Sequence, residues 1–302
     1  MGRLHESEPE LDAALVQRLV DEQLPQWSSL TLVELPATGT DHWLFRLGDE
    51  LLVRLPRIEW ATGQSDLEAR WLPVLAPHLP VRVPERVAVG APAHGYPWAW
   101  SVCLWIPGRT PDRTDPADLR AIAAPLGEFC AALRAIDGTG GPLAGVVNNR
   151  GVPLAHRDAA TREAISAVTD ELDPSALTSA WESALGAPTH SGPPAWMHAD
   201  LLFGNLLVDD LDGVTTLVAV IDWGPMAVGD PAPDAATGWS LFDAATRDDF
   251  RTAAGFDDEM WARGRGWALS TALVALPYYR GTSEPIAANA RRTICEVLAD
   301  PA

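Results

Sequence analysis

One segment constrains this chain more than any other. Leu206-Leu207-Val208 and the run from Leu217 to Ile221 are short apolar strands on either side of Asp209-Asp210-Leu211-Asp212-Gly213, and apolar strands around an Asp-Gly turn make a β-hairpin. Asn205 stands just before the first strand and Asp222 just after the second. Antiparallel pairing brings both to the open end of the hairpin, where an amide oxygen and a carboxylate converge. Hard oxygen donors in that number suit Mg²⁺, which takes few protein ligands and completes its shell with phosphate and water. Asp200 precedes Asn205 by five residues, on the loop that leads into the same end. There it can accept the proton of a hydroxyl lying beside a metal-bound phosphate. One base, one amide ligand and one carboxylate ligand together imply phosphoryl transfer.

The rest of the chain reads as sheet first and helices afterwards. A short helix over Leu11 to Leu24 precedes strand-like runs at Leu30 to Leu35, His42 to Leu47 and Leu51 to Leu55, separated by tight turns, so these form an antiparallel meander. A helix over 64–76 contains Glu68, and Pro73 should end or kink it. Pro-rich connectors follow, then the apolar run Trp98 to Ile106, which stops at Pro107-Gly108. Beyond that point Asp115-Pro116 opens a helix whose apolar face runs to Ile136, with Gly138 as its end. Further helical segments fall at about 158–169, 175–186, 234–253, 257–276 and 284–299. The expected organisation is therefore an α+β chain of two domains, a sheet-rich part over 1–107 and a mainly helical part over 108–302.

Composition removes several alternatives. Among 302 residues there is no lysine, and all 22 basic residues are Arg, against 41 acids, for a net charge of −19. A G-x-x-x-x-G-K-[ST] phosphate loop and Schiff-base chemistry both need a lysine. A nucleic-acid partner needs a basic surface, which the charge argues against. No apolar run has transmembrane length, and the polar N-terminal decapeptide does not read as a secretory signal. Cys103, Cys130 and Cys295 are scattered and odd in number, which points to reduced core residues of a cytoplasmic protein. Oligomeric state is not legible.

The series His198-x-Asp200-x-x-x-x-Asn205, then Asp222-Trp223-Gly224, then Gly229-Asp230-Pro231-Ala232-x-Asp234 resembles the catalytic and metal-binding loops of the aminoglycoside phosphotransferase family, which has a bilobal protein-kinase-like fold. The resemblance extends from about Leu30 to the last helices. It implies that Asp200 is the catalytic base, that Asn205 and Asp222 hold Mg²⁺, and that His198 braces the catalytic loop. Asp230 and Asp234 would fix that loop or cap a helix. Thr38-Gly39-Thr40 would stand where the nucleotide-phosphate loop lies, and Trp105 and Ile106, with Pro107-Gly108, where the hinge meets the purine of ATP or GTP. In place of the lysine that the family puts on its third strand this chain has Arg54, with Glu68 as its helix partner. Arg is always charged and can grip phosphate with two N–H groups, but it is bulkier.

The acceptor implied is a small molecule, an antibiotic first, and among antibiotics an aminoglycoside. Residues 108–302 carry 27 of the acids and 14 Arg, net −13, a field that attracts a polycationic aminosugar. Asp243, Asp248, Asp249, Asp257, Asp258 and Glu259 contribute to it, although such runs are also solvated helix faces. Trp239, Trp267, Tyr278 and Tyr279 would equally suit a macrolide. A metabolic sugar or amino-alcohol kinase and a non-catalytic pseudokinase are the remaining readings.

Overall fold

The helix α1 (Ala13–Gln23) begins where Asp12 accepts the Leu15 N–H at 2.7 Å, a side-chain cap that satisfies one of the donors a helix start leaves orphaned. Its face of Leu15, Val16, Leu19 and Val20 is buried. In the computed structural model, which describes residues 8–36, 41–146 and 148–300, the chain then enters a five-stranded antiparallel sheet. The strands β1 (Leu32–Glu34), β2 (His42–Leu47) and β3 (Leu51–Pro56) form the expected meander. The helix α2 (Gln64–Leu75) continues two residues past Pro73. It is followed by β4 (Arg86–Gly90) and β5 (Trp100–Leu104), and the order across the sheet is β1-β2-β3-β5-β4. The strand β4 was hidden among Pro-rich connectors. Its Val87 and Val89 face outward, as an edge strand with one free face permits. The Trp100 ring covers Gly90 so closely that a Cβ there would come within 1.8 Å of it.

From Pro116 onward helices dominate. Asp115 caps α3 (Pro116–Ala135) by accepting the Ala117 N–H at 2.8 Å, with proline at the first helical position. The helix stops at Ala135, before Gly138. Next come α4 (Asp158–Ala167), α5 (Pro174–Leu185), β6 (Ala195–Met197), β7 (Leu206–Leu211), β8 (Val214–Val220) and β9 (Ala227–Gly229). The β7–β8 turn has φ of 53° at Asp212 and 80° at Gly213, the left-handed pair that a two-residue hairpin demands. The helix expected over 234–253 is three pieces, α6 (Ala232–Ala235), α7 (Thr237–Ser240) and α8 (Arg247–Ala254). The break has a local cause. Asp243 accepts the N–H groups of Ala245 and Thr246, and that loop competes with helix continuation. Then α9 (Asp258–Tyr279) and α10 (Glu284–Ala299) pack around Trp181, Trp239, Trp267, Leu273 and Ile294.

The chain thus has an antiparallel sheet in its N-terminal part and helices in its C-terminal part. It divides into two compact units. The first takes the described residues of Met1–Pro77, Arg82–Gly108 and Ala219–Gly224, and the second His78–Val81, Arg109–Val218 and Pro225–Ala302. The division runs through β8, so Asp222 belongs to the unit of the large sheet, whereas Asp200 and Asn205 belong to the helical unit. Of the cysteines, Cys103 and Cys130 are buried and Cys295 is exposed. This corrects the expectation of three core thiols, because Cys295 falls on the outer face of α10. No helix among the described residues is long and apolar enough to cross a membrane.

Candidate active site

In the first unit the chemistry gathers on the middle of the sheet. Arg54 lies on β3 opposite Leu44 on one side and Ser101 on the other, and it is buried. A guanidinium there needs a partner, and Glu68 supplies it from α2. Arg54 Nη1 donates to Glu68 Oε2 at 2.5 Å and Nη2 to Oε1 at 3.3 Å. Burial pulls the Arg54 pKa down, but Glu68, Cys103 and Asp222 more than reverse this, so the group ends above its ordinary value. Glu68 Oε1 also accepts the Trp223 N–H at 3.1 Å. One carboxylate thereby joins the strand arginine to the residue after Asp222. Asp222 itself is left-handed, with φ of 64°. Gly224 follows against Gln64, whose Cδ would sit 2.5 Å from any Cβ there, so a larger residue requires the Gln64 side chain to shift. At the end of β5 the Trp105 N–H donates to Glu50 O at 2.7 Å, and Arg46 stacks over the Trp105 ring at 3.8 Å. Ile106 is half-buried beside it. Thr38, Gly39 and Thr40 lie outside the described residues.

In the second unit the loop that joins β6 to β7 is wound tightly. Leu202 N–H donates to Asp200 O, and Asn205 N–H to Leu202 O, each at 2.9 Å. Asn205 Nδ2 donates back to Asp200 O at 2.9 Å and to its Oδ2 at 3.2 Å. His198 is fully buried and its Nδ1 accepts the Asp200 N–H at 3.2 Å, which leaves the ring proton on Nε2. Asp200 keeps 19% of its side chain exposed, and Arg150 Nη1 reaches its Oδ1 at 2.5 Å.

The carboxylate that holds the loop is Asp234. It accepts the His198 N–H at 3.0 Å and the Ala199 N–H at 2.7 Å, and so it supports the left-handed Ala199, φ 67°. Asp230 turns elsewhere. It pairs with the buried Arg263 at 2.8 Å and caps α6 through the Ala232 N–H at 3.1 Å. Burial raises the Asp234 carboxyl from its ordinary 3.8 to about 6, against the opposing pull of the two N–H groups and of Arg134 and Arg150. Because the folded value is the higher one, this group favours the fold most below pH 3.8, and that contribution is lost as pH rises through about 6. Loop order runs the other way, since protonation weakens the acceptor of two N–H bonds. Activity is therefore expected to fall as pH drops through about 6, while thermal stability gains from this group. A pH–rate profile beside a pH–melting profile checks this, and Asp234→Asn should flatten the acid limb while lowering the rate overall.

The donors suit a hard cation. Asn205 turns its Nδ2 to Asp200, and Asp222 is a carboxylate of the first unit. No group of three or more His, Cys, Asp or Glu side chains gathers for a metal among the described residues. An amide oxygen and a carboxylate are hard donors, the kind that suit Mg²⁺ with phosphate and water oxygens rather than Zn²⁺. Trp239 and Trp267 are buried in the helical core, whereas Tyr278 is exposed. Asp257 caps α9 through the Met260 N–H, and Asp258 pairs with Arg251.

The fold is shared with enzymes of known structure. The GDP complex of wild-type aminoglycoside 2'-phosphotransferase-IIIa superposes with a TM-score of 0.74 at 17% identity, covering 96% of this chain and 99% of that one. A macrolide 2'-phosphotransferase type I gives 0.65 at 17%, over 97% and 99%. The macrolide 2'-phosphotransferase apoenzyme from Brachybacterium faecium gives 0.58 at 23%, over 94% and 99%. No curated protein sequence matches. The model of the phosphotransferase enzyme family matches residues 33–267, a span that contains Arg54, Glu68, the loop from His198 to Asn205 and Asp222, and the chain therefore belongs to the phosphotransferase enzyme family.

Proposed function

We propose that the protein transfers the γ-phosphoryl group of ATP or GTP to a hydroxyl of a small-molecule antibiotic, an aminoglycoside before a macrolide. The observation that carries this reading is the catalytic loop. Asp200 is partly exposed on a turn otherwise pinned by Asp234, His198 and Asn205, the arrangement a base needs if it is to meet a substrate hydroxyl without moving. Asp200 takes the proton of the acceptor. Arg54, fixed by Glu68, meets the phosphates of the nucleotide, and the hinge backbone at Trp105 and Ile106 meets the purine. Asn205 and Asp222 hold Mg²⁺, which when bound neutralises phosphate charge.

The preference for a polycation rests on the net −13 of residues 108–302. The macrolide alternative loses support because Trp239 and Trp267 are committed to the core. A panel of kanamycin, gentamicin, streptomycin, a macrolide, sugars and amino alcohols, each with ATP and with GTP, tests the reading. Magnesium-dependent nucleotide consumption with an aminoglycoside is the expected result. Turnover of a sugar or amino alcohol alone would move the protein to metabolism, and no turnover with any acceptor would sink the enzyme reading.

A further inference from the structure

The catalytic loop carries no Lys or Arg cation of its own. From Trp196 to Val208 there is neither Lys nor Arg, and the His198 ring is turned to the backbone of Asp200. The positive charge beside Asp200 comes from fifty residues earlier. Arg150 Nη1 donates to Asp200 Oδ1 at 2.5 Å, and the same nitrogen donates to the Ala199 carbonyl. Arg150 is itself set in place by its neighbours. Its N–H donates to Asn148 Oδ1 at 2.8 Å, and Asn148 Nδ2 donates to Pro225 O at 2.8 Å. The next carbonyl, of Gly151, accepts the Asp230 N–H at 3.1 Å. Gly151 has φ of 76°, and a Cβ there would come within 2.1 Å of Met197 Cε. A partly exposed ion pair adds little to stability. A loop anchored on three sides to deliver one is better explained by what it does to the carboxylate.

We propose that Arg150 is a positioning residue, which holds Oδ1 of Asp200 so that Oδ2 is the oxygen that receives the acceptor's proton. This rests on the transferase reading above. Oδ1 is occupied by the guanidinium, while Oδ2 receives, among the described residues, the long 3.2 Å bond from Asn205 and keeps a lone pair for the substrate. In the step, the acceptor oxygen bonds to the γ-phosphorus as its proton passes to Oδ2. The bond from the γ-phosphorus to the bridging β,γ-oxygen breaks, and the nucleoside diphosphate leaves with that electron pair. The proton then passes to solvent. Without Arg150 the carboxylate turns about its own bond, and the aligned oxygen is lost.

The test uses the full chain with kanamycin, or the acceptor that the panel identifies. Arg150→Ala should lower kcat about 100-fold, the scale of a misplaced reacting group, with both KM values within about threefold and an unchanged melting temperature. Added guanidinium should restore part of kcat, and Arg150→Lys should fall between. A kcat within about twofold of wild type overturns the proposal, and so does a loss that follows the melting temperature and ignores guanidinium. If Arg150→Ala does not fold, Arg150→Lys decides the matter, because an unchanged kcat there is equally fatal. A wild-type chain inactive towards every acceptor overturns the transferase reading. The positioning role is then decided by the crystal structure of the variant, where a rotated Asp200 carboxylate supports it and an unmoved one removes it.

Discussion

Asp200→Asn is expected to lower turnover by about 10²- to 10⁴-fold, the usual contribution of a positioned general base. The substitution suits the question because it removes basicity and little else. An amide oxygen can still accept from Arg150 Nη1, which now reaches Oδ1 at 2.5 Å. The loop itself is held by backbone bonds, from Leu202 to Asp200 O and from Asn205 to Leu202 O, and by Asp234 beneath it. The fold should therefore change little, since the Asp200–Arg150 pair is partly exposed and pairs of that kind contribute about 0–1 kcal/mol. Nucleotide affinity should remain within a factor of about two, because no binding contact is lost. Steady-state rates beside nucleotide titration and a melting curve separate these effects. A variant that keeps a tenth or more of its turnover would remove Asp200 from the base's role.

Arg54→Ala is expected to act on stability as much as on catalysis. The Arg54–Glu68 pair is bidentate, with side-chain exposures of 8% and 4%. Removing one partner leaves a carboxylate buried without its cation, which costs about 3–5 kcal/mol, or a fall in melting temperature of roughly 5–8 °C at this chain size. Nucleotide-dependent turnover should fall with it, so the single variant does not distinguish a phosphate contact from a structural one. The double variant Arg54→Met with Glu68→Leu does. Apolar replacement of a whole buried pair is often neutral or stabilising, so its melting temperature should return most of the way. Turnover should stay low, because the guanidinium is still missing. Full recovery of turnover in the double variant would show that nucleotide binding does not use Arg54.

What could be read in the sequence was what local chemistry writes down. Asp212-Gly213 announces the hairpin, tight turns between short apolar runs announce β2 and β3, and Arg54 among Leu51, Val53 and Leu55 demands a partner that Glu68 then provides. What could not be read depends on long-range packing. Arg150 lies in a Gly/Asn-rich loop with no periodicity, fifty residues from the carboxylate it meets. Asp230 and Asp234 are indistinguishable by spacing, and only the fold shows that Asp234 takes the loop N–H groups while Asp230 is claimed by Arg263. The strand β4 is masked in the sequence by the prolines that flank it, and the segment 234–253 reads as one helix because its apolar spacing outweighs the turn at Asp243.

The arginine on β3 also decides which reagents can touch this enzyme. A buried lysine amine at that position is a nucleophile once it loses its proton. A guanidinium keeps its proton throughout the working pH range, and here its charge is further secured by Glu68. With no lysine side chain anywhere in the sequence, an electrophilic analogue that marks such an amine has nothing to acylate at this site. If Arg54 meets the nucleotide as proposed, an amine-acylating nucleotide analogue should leave that position unlabelled.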